Sequence, residues 1–415
     1  ASDGCGAPAG HARRAPRTRP TLERLEDRTV PSGLAVPALN SLPGARASLW
    51  LDFTSLPTQN WGSYQNVTTP VFDLDGDPTS FSPQELAVIT EVWQRVAEIY
   101  SPFDINVTTV QPADLSHGKT QIVAVGGSYN DWLHEPAGGI SYVGSFTNPY
   151  EPNISHIFVD GTDGVAQYIA VAAAHEVGHA FGLEHQAVFS ATGALSQEYN
   201  PGTASEAPIM GLAYSAARAL WWVGPADSNG TEIIQNDEAV IAGAANGFGL
   251  RPDPYGQSLA TATPLGYLNG VRGDAGVLDT PASADFFSFT TTGGVASFTV
   301  NPAAVGGMLH ATLELWSQGR LIAVGSSPTA MGASITANLP AGSYVIEAAS
   351  YGGVGDIGQY TLTAQVPQNW GPYVASLYNS LLNRAPSAAE LSTVTAAMNG
   401  GNVTPAQLVQ AFLHS

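Results

Sequence analysis

Apolar residues fall at helical spacing in one early stretch of the chain. Between Ser82 and Ser101, Leu86, Ile89, Trp93, Val96 and Tyr100 form a single stripe at i, i+3 and i+4. Ser82 is placed as N-cap, Pro83 as the first helical residue and Glu85 as the partner of a capping box, and Pro102 stops the helix. Phe103–Val110 then alternates apolar and polar, as a half-buried strand does. Gln121–Val125, Gly139–Phe146 and Ser155–Asp160 are further strand candidates, and a second helix is expected over about Ala166–Phe181. This order predicts an α+β unit over residues 47–250, a twisted sheet with long helices.

The pattern changes near Asp253. Phe286–Thr291, Ala296–Asn301, Ala311–Trp316, Arg320–Val324, Ser334–Leu339, Ser343–Ala348 and Gln359–Ala364 are short strand candidates separated by Gly, Pro, Ser and Asn turns. Regular short strands of this kind predict an all-β sandwich, separable from the first unit, over residues 253–367. Asp285-Phe286-Phe287-Ser288-Phe289, Leu339-Pro340-Ala341-Gly342-Ser343-Tyr344 and Tyr360-Thr361-Leu362-Thr363, after Ala260-Thr261-Ala262-Thr263-Pro264-Leu265, resemble the bacterial pre-peptidase C-terminal domain. That resemblance implies an appendage of secreted enzymes with no chemistry of its own. Residues 369–415 turn helical, with capping signatures at Ser387/Glu390 and Thr404/Gln407. Tyr373–Tyr378 and Leu381–Pro386 resemble a helical module of unknown role in bacterial extracellular proteins, here expected to be truncated. Residues 1–46, rich in Arg, Pro, Gly and Ala without periodicity, read as a disordered or processed segment. The fold class expected is therefore a multidomain protein: an α+β unit, an all-β sandwich and a small helical C-terminal segment.

Charge narrows the partners. The 415 residues carry 34 acids and 14 bases, a net charge of −20. Six of the bases (Arg13, Arg14, Arg17, Arg19, Arg24, Arg28) lie in the first 28 residues, so the remainder is more acidic still. Such a surface repels phosphate backbones, which argues against nucleic acid. No apolar run reaches the ~18 residues of a membrane-spanning helix. Cys5 is the only cysteine, which excludes an intrachain disulfide framework and a cysteine zinc finger.

The chemistry concentrates in His175-Glu176-Val177-Gly178-His179-Ala180-Phe181-Gly182-Leu183-Glu184-His185. On a helix, His175 and His179 stand four apart and share a face. Gly182 lies where the helix must end; a glycine can take positive φ there and bring His185 round as third ligand. Three neutral imidazoles leave a fourth position open, as catalytic zinc requires, and Glu176 is placed to serve as general base without ligating. The plain alternative is a helix with packed histidines.

This HExxHxxGxxH pattern resembles the metzincin clan of zinc endopeptidases, over roughly residues 48–250. The resemblance implies peptide-bond hydrolysis through a metal-activated water, a protein or peptide substrate, and an edge strand near Gly138–Phe146 that pairs with it. It also implies a methionine turn beneath the metal, for which Pro208-Ile209-Met210-Gly211 offers Met210. Several clan members carry a tyrosine two residues after that methionine; here the position is Leu212, with Tyr214 out of register.

Weaker signals remain. Asp73, Asp75 and Asp77 alternate before the first helix and read either as a calcium loop or as a solvated acidic turn. Asp131, His134 and His156 lie where one metzincin subfamily holds a structural zinc, but Tyr142 and Val143 occupy the intervening strand. Cys5-Gly6-Ala7-Pro8 resembles the thiolate switch of the same subfamily, without its flanking residues. Leu22–Gly33 resembles a segment near the N-termini of large exported bacterial proteins. The expected function is a secreted, extracellular or cell-surface zinc endopeptidase; the competing reading is an adhesion or matrix protein with a degenerate peptidase domain. Oligomeric state is not legible.

Overall fold

The structure, a computed structural model, describes residues 34–268 and 271–414. Cys5 and the segment Leu22–Gly33 lie outside the described residues. The first unit holds β1 (Ala47–Asp52), β2 (Leu56–Trp61), β3 (Tyr64–Thr69), α1 (Pro83–Ile99), β4 (Ile105–Thr108), β5 (Thr120–Val125), β6 (Gly139–Ile140), β7 (Ile154–Ile157) and α2 (Ala166–Ala180). Its main sheet has the order β4-β1-β5-β7-β6, parallel except for the antiparallel edge strand β6.

Both faces of this sheet are covered. Leu49, Leu51, Val123 and Val125 point to a core shared with α1 and α2. Their neighbours Trp50, Ile122 and Ala124 point to the other face, where the β2–β3 hairpin packs Trp61 and Val67. Burial on both faces is why the central strands read as near-continuous apolar runs rather than a clean alternation.

Local signals place the helices where expected. Ser82 caps α1, its hydroxyl accepting the Glu85 N–H, while Glu85 accepts the Ser82 N–H in return. The strand expected over Gly139–Phe146 is shorter: it ends at Ile140. Beyond it, the N–H groups of Gly144 and Phe146 donate to His179 O and Ala180 O, capping the end of α2 instead of extending a ladder. Residues 34–46, expected to lack order, are in part tied to β4: Ser41 N–H donates to Val107 O, and Leu39 N–H to the Thr109 hydroxyl.

After α2 come short strands β8 (His185–Gln186), β9 (Val188–Phe189), β10 (Leu195–Gln197), β11 (Glu206–Pro208), β12 (Arg218–Leu220), β13 (Val223–Ser228) and β14 (Thr231–Asn236), then α3 (Asp237–Ile241). The sandwich follows: β15 (Thr263–Pro264), β16 (Tyr267–Leu268), β17 (Val271–Leu278), β18 (Ala284–Thr291), β19 (Gly294–Pro302), β20 (Ala311–Ser317), β21 (Arg320–Gly325), β22 (Ala333–Leu339), β23 (Gly342–Ser350) and β24 (Gly358–Gln365). They form two five-stranded sheets, β15-β18-β23-β20-β21 and β16-β17-β24-β19-β22, over one apolar core. The seven strands expected from the sequence are all present as β18–β24; β15, β16 and β17 are additions. Helices α4 (Gly371–Leu381), α5 (Ala388–Asn399) and α6 (Pro405–Leu413) enclose a small core of Val374, Tyr378, Met398 and Leu408, with the expected capping boxes at Ser387/Glu390 and Thr404/Gln407.

The sandwich does not stand apart from the first unit. Met308 and Ile357, both fully buried, belong to the core of α1 and α2. Glu98 of α1 accepts N–H groups from Met308 and Gln359, and Arg218 of β12 donates to Met308 O and to Asp356.

Candidate metal centre

α2 brings His175 and His179 to one face, as their spacing requires. The helix ends at Phe181, and Gly182 turns the chain with φ +99°, in the region that favours glycine. Gly182 N–H donates to His179 O and Leu183 N–H to Gly178 O, closing the turn. The chain then enters β8, where His185 pairs with Asp227 of β13. Beneath β8, a buried network holds the backbone. Gln235 accepts the Glu184 N–H and donates to Glu184 O, while Gln186 and Gln235 both donate to Asp237 Oδ1.

The three imidazoles converge. His179 Nε2 lies 3.1 Å from His175 Nε2 and 3.0 Å from His185 Nε2. The far nitrogens settle the tautomers. His175 Nδ1 is 2.8 Å from Ile209 O and His179 Nδ1 is 2.7 Å from Leu183 O. A carbonyl only accepts, so each Nδ1 carries the proton and each Nε2 offers a lone pair. Burial pushes all three histidines below their ordinary pKa, His185 to about 4, so they are neutral near pH 7. Lone pairs facing one another this closely repel unless a cation lies between them. Ligands of a tetrahedral zinc at ~2.0–2.1 Å stand about 3.3 Å apart, close to the spacing seen, so this donor set fits zinc.

Glu176 is buried beside the imidazoles, and burial raises its carboxyl to about 8 in the metal-free chain. A cavity of about 270 Å³ opens over it, lined by Gly138, Gly139, His175, Glu176, Tyr199 and Tyr214. Met210 is fully buried against α2; a side chain at Gly178 would put its Cβ 2.5 Å from Met210 Sδ. The turn containing Met210 also supplies Ile209 O to His175 and Met210 O to the Gln186 N–H. Leu212 is half exposed and lines the cavity together with Tyr214.

The acidic loop differs from the expectation. Among the described residues, the carboxylates that approach one another are those of Asp73, Asp75 and Glu85, not Asp77. Asp77 accepts from the Thr79 N–H and hydroxyl and from Ser80, which hold its pKa low. Asp73 accepts the Asp75 and Gly76 N–H groups, and Glu85 those of Leu74 and Ser82. The carboxylates of the loop thus accept hydrogen bonds from its own backbone.

No second metal cluster forms from Asp131, His134 and His156 among the described residues. Asp131 caps a short turn at Ser128. His156 Nδ1 meets the Thr69 hydroxyl at 2.9 Å, and its ring sits between Trp61 and Trp132, where burial lowers its pKa to about 3.

Two residues at the centre have no signature in the local sequence. Glu198 Oε1 lies 3.2 Å from His185 Nδ1, and the Tyr199 ring packs on His185 with centroids 4.3 Å apart. Both follow directly on the β9–β10 hairpin, thirteen and fourteen residues beyond His185, and only the turn glycine Gly193 hints at the return.

Comparison with known proteins bears on this site. No curated sequence matches the chain significantly. Among solved structures, the pre-peptidase C-terminal domain of a collagenase from Bacillus anthracis matches at 18% identity and TM-score 0.19, covering 23% of this chain and 88% of that one. A periplasmic inhibitor of g-type lysozyme, PliG from Aeromonas hydrophila, matches at 13% identity and TM-score 0.20, covering 25% and 92%. The informative match is by sequence family: residues 126–229, which hold His175, Glu176, His179, His185 and Met210, match the Metallo-peptidase family M12B Reprolysin-like, so this part of the chain is metallopeptidase-like.

Proposed function

We propose that the protein is a secreted zinc-dependent endopeptidase. The observation that carries this reading is the convergence of the three histidine Nε2 atoms beside Glu176, inside the span that matches a metallopeptidase family. His175, His179 and His185 would hold the ion. Bound there, zinc would polarise a carbonyl and make a water acidic enough to attack near neutral pH.

The chain's own residues supply the rest. Glu176 is close enough to the ligands to take a proton from that water and return it to the leaving amine; a bound cation would pull its carboxyl back down from about 8 toward the ionised form. Strand β6 lies at the sheet edge above it, pairing on one side only with β7. An extended peptide adding to the open side would lay its backbone across the cavity, with main-chain hydrogen bonds in place of side-chain selection. Tyr199 and Tyr214 close the remaining wall.

Export to the outside of a bacterial cell is part of the same proposal and rests on the N-terminal resemblance. The reading is tested by measuring bound zinc in the purified chain and casein cleavage with and without chelator. One equivalent of zinc and chelator-sensitive cleavage are expected. Glu176→Ala should keep the metal and lose ~10²–10⁴-fold in turnover. A zinc-free wild-type chain, or a Glu176→Ala variant with undiminished cleavage, overturns it.

A further inference from the structure

The three histidines are not held alike. His175 and His179 each donate Nδ1–H to a main-chain carbonyl fixed by the α2 turn and the methionine turn. Among the described residues no carbonyl is bonded to His185 Nδ1; the group beside it is the Glu198 carboxylate, with Oε1 at 3.2 Å. We propose that Glu198 is the positioning residue of the third ligand, accepting the Nδ1–H of His185 and so fixing the tautomer and ring orientation that aim Nε2 at the metal. This rests on the zinc reading above and adds to it a residue thirteen positions outside the ligand motif.

The surrounding geometry shows that Glu198 is brought there by design of the chain rather than by a wandering side chain. The β9–β10 hairpin carries it back over β8. Just beyond, Asn200 N–H donates to Gln186 O at 2.7 Å, and Asn200 O accepts the Leu212 N–H at 2.9 Å. Residue 200 is thereby bonded both to the neighbour of His185 and to the methionine-turn loop. Tyr199, between them, lays its ring on the His185 ring. With residue 200 bonded and residue 199 packed, the backbone of residue 198 is held beside His185.

The chemistry of the contact differs from that at the other two ligands. A carboxylate is a stronger acceptor than a carbonyl and makes the imidazole a more basic ligand; removing such outer partners typically weakens metal binding ~10–100-fold. The Glu198 side chain is 56% exposed, so its charge is partly screened by solvent and the effect should sit toward the lower end of that range.

The experiment uses the full chain and reads zinc affinity by competition with a chromophoric chelator. Glu198→Ala should bind zinc about tenfold more weakly, while its melting temperature in excess chelator stays that of the wild type, because the residue is exposed and holds no core together. Glu198→Gln keeps an acceptor oxygen and should recover part of the loss. A merely structural surface residue would show no such loss with recovery. Wild-type affinity in Glu198→Ala overturns the inference alone. An equal drop of the metal-free melting temperature in both variants also overturns it, since the effect would then be on folding. A wild-type chain that binds no zinc overturns the metal reading itself and the inference with it.

Discussion

Gly139 and Glu176 are in direct contact, and the contact leaves no room for a side chain at position 139. A Cβ there would stand 2.6 Å from Glu176 Cγ and 2.8 Å from His156 O. The edge strand expected to receive substrate thus lies on the residue expected to move the proton.

This predicts a separable catalytic defect. In Gly139→Ala the backbone oxygen of His156 cannot retreat, since β7 is paired on both sides, so the displacement falls on Glu176 and on β6. Overpacking of this kind costs ~1–3 kcal/mol, and a base displaced by ~1 Å loses ~10²-fold in rate. The histidines do not touch position 139 in this way, so bound zinc should stay at the wild-type level. Parallel metal analysis and peptide turnover check it; unchanged turnover would show that Glu176 is not held by this strand.

Gly178 gives a second prediction, on the other side of α2. A Cβ there would meet Met210 Sδ at 2.5 Å and Leu183 Cδ1 at 3.2 Å. Methionine is flexible and yields, but the turn it anchors also positions Ile209 O for His175. Gly178→Ala is therefore expected to lower zinc affinity several-fold with a stability loss of ~1–3 kcal/mol. Chelator competition and thermal melting on the same sample separate the two effects.

How much of this was legible in the chain follows from where each signal lives. The capping box at Ser82 and Glu85, the His175/His179 spacing and the Gly182 turn are local, written within a few residues, and the structure has them as read. Strand β6 was overread because Gly139–Phe146 is apolar enough for a strand, while its N–H groups are used by the end of α2, a partner more than thirty residues away. Glu198 and Tyr199 reach His185 through a hairpin return, and Asp237 supports β8 from another fifty residues on. No periodicity encodes such contacts. The acidic loop was legible in part: Asp73 and Asp75 do approach one another, but the third carboxylate is that of Glu85, across the turn into α1, rather than Asp77.

A pH prediction comes from Glu98. Burial pushes its carboxyl up to about 7 despite N–H donors from Met308 and Gln359. Its folded value lies above the unfolded 4.5, so its contribution to stability is full below about pH 4.5 and is lost as pH rises through about 7. At 1.36 kcal/mol per pKa unit, the loss is on the order of 3 kcal/mol. Asp237 and Asp285, raised to about 6 and about 7 by burial, act in the same direction. Between pH 5 and pH 8 the wild type should therefore lose more melting temperature than Glu98→Gln, which cannot ionise. A constant gap between the two curves would sink the prediction.

The last prediction concerns the sandwich, expected from the sequence to be separable and without chemistry of its own. Its loops place Met308 and Ile357 in the core of α1 and α2, and Gly355 lies against Leu220 and Trp221 of the first unit. Arg218, held by Asp356 and Met308 O, sits on β12; two residues on, Leu220 O accepts the Ile209 N–H, and Ile209 O receives the proton of His175 Nδ1. A bonded succession thus runs from the sandwich to the first metal ligand. Residues 34–250 expressed alone should expose this apolar surface, melt at lower temperature and bind zinc more weakly than the full chain. Within the full chain, Met308→Ala should cost ~2–5 kcal/mol, as large-to-small changes at fully buried sites do. A chain ending at residue 367 should instead keep the main transition, because the core of the helical tail contains only its own residues. If residues 34–250 alone match the full chain in melting temperature and zinc affinity, the sandwich is only an appendage and the contacts at Glu98 and Arg218 have no functional weight.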